Sequence, residues 1–199
     1  MRNRKLIAFL FAPLLGCFAQ VDAPELTMTR PLCATTDCVP GGAAPLTIIQ
    51  VSGANTFTVD FGDQPLLKPS SDLGPATLNT SLILNSGAMD MITAGSGADF
   101  SQVQTVTVFA LNPGVSPAGD PCATAGNCTI IASYNRNTDP AATRHLDLKG
   151  NGSDLVKLID QASHSLTLEI QASGQAPSPA LWNANVSMDM SLTSRASYP

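Results

Sequence analysis

The sequence predicts an all-β domain folded as a two-sheet antiparallel β-sandwich, and three observations carry that expectation. In the stretch Leu181 to Thr193 the even-numbered Trp182, Ala184, Val186, Met188, Met190 and Leu192 are apolar, while every odd-numbered residue from Asn183 to Thr193 is polar. A period of two, kept throughout, belongs to a strand with one dry and one wet face, and no helix fits it. The stretch Val103 to Leu111 is apolar on both sides, as in a strand at the middle of a sheet or beneath a loop. The other apolar runs are short and separated by turn residues, with 15 Gly and 15 Pro in the chain, and no βαβ rhythm is present.

At the start, Arg2, Arg4 and Lys5 precede an apolar run, Leu6 to Gly16, of 11 residues. That run is too short, and too interrupted by Pro13, to be a good membrane span; it reads as a signal peptide over residues 1–16. Residues 17–25 then form an anchor and tether, and 26–199 a single β-sandwich domain. The tetrapeptide Leu14-Leu15-Gly16-Cys17 resembles the bacterial lipobox. The resemblance implies cleavage before Cys17, a diacylglyceryl group on its thiol and an amide-linked acyl chain, together enough for stable membrane anchoring. Phe18 stands where an aspartate is associated with inner-membrane retention, so the resemblance implies an outer-membrane lipoprotein facing the periplasm or the cell surface. The competing cut falls after Ala19 and yields a soluble secreted protein starting at Gln20.

Beyond Cys17 the cysteines are Cys33, Cys38, Cys122 and Cys128, an even set in an exported chain. Two local disulfides, Cys33 with Cys38 and Cys122 with Cys128, are the favoured pairing, with crossed bridges or a metal as alternatives. The close spacing within each pair suits a bridge that fixes a turn.

Leu26 to Thr29 is a candidate edge strand ended by Pro31. Leu46 to Val51 and Phe57 to Phe61 read as a hairpin across Ser52-Gly53-Ala54-Asn55. Leu78 to Leu84 is a strand that Asn85-Ser86-Gly87 turns into Met89 to Ile92. After Val103 to Leu111, the second cysteine loop leads into Thr129 to Tyr134, and His145 to Lys149 is a short strand with Leu146 and Leu148 inward. Ser153 to Asp160 is the helical candidate, with Ser153 as cap. Leu166 to Ala172 alternates again, and the turn Gly174 to Pro179 makes it the expected hairpin partner of the last strand. The sum is nine or ten short strands, an immunoglobulin-like or jelly-roll-like sandwich with at most one short helix.

Removing Arg2, Arg4 and Lys5 with the leader takes the formal net charge from -5 to -8, with 7 basic against 15 acidic side chains, which argues against nucleic acid as a partner. No GxSxG, HExxH or phosphate-loop pattern occurs, and His145 and His164 read as surface or fold-supporting residues. Asp147, Asn151 and Asp154 offer hard oxygens in a Gly-rich turn, as a Ca²⁺ site needs, although turn chemistry accounts for the same residues. The expected function is therefore non-enzymatic: a lipid-anchored domain that binds or scaffolds another envelope protein or a glycan. A carbohydrate- or ligand-binding module would use Tyr134, Trp182 or Tyr198 as exposed aromatics. A secreted hydrolase would need two of Asp60, Asp63 and Asp90 facing one another across a groove.

Overall fold

A computed structural model describes residues 19–21, 48–49, 56–61, 70–73, 76–94, 99–175 and 182–197. Cys17, Cys33, Cys38, Asp63 and Tyr198 lie outside the described residues, as does the candidate strand Leu26 to Thr29.

Six long strands form a single antiparallel sheet that is neither closed nor strongly curled. The strands at its margins are β1 (Ala19–Val21), β2 (Ile48–Ile49), β3 (Thr56–Asp60) and β4 (Ser70–Leu73). The long ones are β5 (Ala76–Ala94), β6 (Val103–Leu111), β7 (Cys128–Asn135), β8 (His145–Gly150), β9 (Ser165–Gly174) and β10 (Trp182–Ser197). Across the sheet they run β10-β5-β8-β7-β6-β9. The short strands extend or patch its edges: β1 against β10, β4 against β5, and β2 and β3 against β9.

This arrangement overturns the two-sheet sandwich. Alternation determines that each strand has a buried face, but not what covers it. The face carrying Leu82, Leu84, Met89, Val106, Val108, Leu146, Leu148, Leu168, Ile170 and Met190 shares one core with residues from connections. Leu155, Val156 and Ile159 from the segment after β8, Phe100 before β6 and Ala142 before β8 supply the cover that a second sheet was expected to give.

Four local expectations are corrected with it. Asn85-Ser86-Gly87 is no turn: β5 runs straight through it, and the register with β10 shifts between Asp189 and Met190 so that Asn85 is the extra residue of a bulge. Gly87 then faces inward, where a Cβ would come 3.0 Å from the Ser187 carbonyl oxygen, a tight fit against backbone. The last strand is the partner of β5 and β1, whereas β9 lies at the far side of the long strands beside β6. Ile48–Ile49 and Thr56–Asp60 follow one another along the same edge of β9, where a hairpin with each other was expected. The helical candidate shrinks to a single 3-10 turn, Leu155–Lys157, capped by Asp154 and not by Ser153. Its apolar residues drop into the core in one turn, leaving no second face for a longer helix to solvate.

Candidate functional site

The wet face of the sheet is knitted by short polar side chains. Asn85 donates to Ser191 across 2.6 Å, Ser86 to Asp189 across 3.3 Å, and Thr105 and Ser173 meet at 2.6 Å. The Ser86–Asp189 and Thr105–Ser173 pairs join register partners on neighbouring strands, and Asn85 reaches Ser191 from the bulge.

On the same two-residue rhythm His145 lies opposite Asp90, with Asp147 one step further along β8. Its Nδ1 is 2.6 Å from Asp90 and its Nε2 2.9 Å from Asp147. A carboxylate at each nitrogen favours the doubly protonated ring: the Asp90 bond, then the Asp147 bond, raises the His145 pKa above the ordinary histidine value. Both ring nitrogens are thereby engaged by carboxylates. The group is half exposed, 51% at the His145 side chain and 53% at Asp90.

A cleft of about 550 Å³ opens where β5 lacks a neighbouring strand. One edge of β5 pairs with β4 through Asn79 and with β8 from Ser86 onward. Between them, the segment after β8 patches the gap. Ile83 bridges Asp154, and Asp154 Oδ1 accepts hydrogen bonds from Leu82 N at 3.0 Å and Val156 N at 3.2 Å. A carboxylate here satisfies an edge amide that a strand would otherwise pair. The cleft walls carry Asn79 opposite Arg195 and Ser81 opposite Thr193, with Lys157 from the 3-10 turn. Lys157 Nζ stands 3.8 Å from Asp154 Oδ2. No sequence motif marks this site, because its residues come from two strands and a turn far apart in the chain.

Cys122 and Cys128 are bridged, as expected. The bridge closes a loop whose 3-10 turn, Pro121–Ala123, is capped by Asp120 and buries Pro121. Near it lies a group that alternation did not reveal: Glu169, on the nominally wet side of β9, is fully buried. Its Oε1 accepts from Gln171 at 2.7 Å, while Oε2 has no hydrogen-bond partner. Burial raises its pKa, the neighbouring Asp120 charge pushes the same way, and the Gln171 bond pulls against both.

The residues weighed for calcium are turned to separate partners. Asp147 faces His145, Asn151 Oδ1 accepts from Ser153 N at 2.9 Å, and Asp154 holds the β5 edge. Among the described residues no group of three or more His, Cys, Asp or Glu could hold a metal ion. Tyr134 is buried with its hydroxyl toward Ala142 N, so it offers no stacking platform. Asp60 and Asp90 lie on β3 and β5 with β9, β6, β7 and β8 between them, about 24 Å at ordinary strand spacing, too far to flank one scissile bond. Among the described residues no helix is long and apolar enough to cross a membrane.

The fold and these groups define an all-β domain with a local disulfide. No family model, curated protein or solved structure matches the chain.

Proposed function

We propose that this chain is an exported, lipid-anchored β-sheet domain that binds or scaffolds another component of a bacterial envelope. The observation that carries the reading is the wet face itself. Its polar groups are engaged with one another, and its histidine is held at both nitrogens by carboxylates. Such a surface suits contact with another polar surface. The Cys122–Cys128 bridge supports export, since such bridges persist in oxidising compartments. The Leu14 to Cys17 resemblance supports the anchor.

Metabolic labelling with a radioactive fatty acid in a bacterial host, followed by fractionation, tests the reading. The wild-type chain is expected to carry label and sediment with the outer membrane, and Cys17→Ser to lose the label and remain uncleaved. Equal distribution of an unlabelled wild type and the variant into the soluble fraction would overturn it.

A further inference from the structure

We propose that the cleft between Lys157 and Arg195 is a headgroup site that takes the phosphate of an anionic phospholipid in the leaflet holding Cys17. The inference rests on the lipid-anchor reading and adds to it the orientation of the domain and the lipid chemistry it meets.

Position is the first ground. β1 pairs with β10 so that Gln20 lies opposite Arg195. Gln20 is three residue steps from Cys17, about 10 Å of fully extended chain, and the strand spacing adds about 4.8 Å. A lipid on Cys17 therefore keeps the Arg195 backbone within roughly 15 Å of the anchored residue, wherever the intervening chain points.

Charge is the second. The described residues contain five Lys or Arg, at 136, 144, 149, 157 and 195, and two of the five line this one cleft. Asp154 offsets one of them, with its Oδ1 committed to the Leu82 and Val156 amides. A net positive cleft remains, on a chain that carries -8 once the leader is gone. An anionic leaflet repels such a chain overall and attracts this cleft, which favours turning the cleft toward the lipid.

Chemistry is the third. An arginine offers a planar two-pronged donor for phosphate oxygens and a lysine a point charge. The Asn79 amide and the Ser81 and Thr193 hydroxyls line the same walls and can donate to the remaining oxygens. Ile83 is the large apolar side chain among the lining residues and no aromatic joins it, so the polar groups of the lining select for a headgroup.

Lysine labelling tests this. Lys149 and Lys157 have equally exposed side chains, 73% each, so Lys149 is an internal reference. The acylated full chain is reconstituted on phosphatidylcholine vesicles with and without phosphatidylglycerol, treated briefly with an amine-acylating reagent, and digested for mass spectrometry. Labelling of Lys157 relative to Lys149 is expected to fall roughly fivefold on the anionic vesicles, and Arg195→Gln to reduce that protection. An unchanged ratio, or protection that survives Arg195→Gln intact, would overturn the headgroup site. Equal protection by inorganic phosphate on phosphatidylcholine alone would assign the cleft to a free anion and overturn the lipid. The same digest reads the N-terminal peptide. An acylated Cys17 with an unchanged ratio removes only the cleft assignment, and an unmodified Gln20 start removes the anchor and the cleft together.

Discussion

His145 and Glu169 show how one side chain's surroundings set its behaviour with pH. Asp90 and Asp147 raise the His145 pKa, so its stabilising share is fully present below the ordinary histidine value and is lost as pH rises through the folded value. With half the ring exposed, that share is less than about 1 kcal/mol. A proton-detected titration should find the His145 pKa lowered in both Asp90→Asn and Asp147→Asn; an unmoved value would show that the carboxylates do not set it. Glu169 is also raised, by burial first, so the folded chain keeps its proton after the unfolded chain has released it. Stability therefore falls as pH climbs from the ordinary glutamate value through the folded one. Glu169→Gln keeps the shape and the Gln171 neighbour without the ionisation. Urea melts from pH 5 to 8.5 should show the wild type losing stability that Glu169→Gln keeps, about 1 kcal/mol at the alkaline end. Parallel profiles would contradict this. Both groups were half legible: alternation along His145 to Lys149 put the histidine on the wet side, where it is. The same rule put Glu169 in water, and nothing local signals that the Pro121–Ala123 turn folds back near β9.

Among elements, the strands were more legible than their partners. Val103 to Leu111 was read to the residue, and Leu166 to Ala172 lies within Ser165–Gly174, because side-chain period is a local property. Pairing is not local. Nothing in the apolar pattern of β10 distinguishes β5 from β9 as its neighbour, and the Asn-Ser-Gly of β5 has turn composition although the strand absorbs it as a bulge. The observed pairing sharpens what loss of β10 would do. Truncation at Ala180 would remove Ala184, Val186, Met188 and Met190 from the core and leave β5 unpaired along that edge. The lost burial is on the order of 6 kcal/mol or more, comparable with the whole stability margin of a domain. The truncated chain should show no cooperative thermal transition by near-ultraviolet circular dichroism; a native-like transition would contradict the account. The Cys122–Cys128 bridge is a smaller matter, closing a sequence separation of 6. Replacing both cysteines by serine should cost about 2 kcal/mol in urea melts and leave the sheet folded.

For the whole molecule, the sheet explains why so few groups converge. A single open sheet spreads its wet face in two dimensions, so carboxylates such as Asp60 and Asp90 stay strands apart, and a cleft of about 550 Å³ forms where β5 lacks a neighbour. The same topology sets β1 at the edge of β10, close in sequence to Cys17, so an anchor there would fix how the sheet meets a surface. Everything proposed about location depends on that cysteine. Mass spectrometry of the mature N-terminal peptide from a bacterial membrane fraction is the most direct measurement. The mature chain is expected to begin at Cys17 with a diacylglyceryl thioether and an amide-linked acyl chain. An unmodified chain beginning at Gln20 would contradict it.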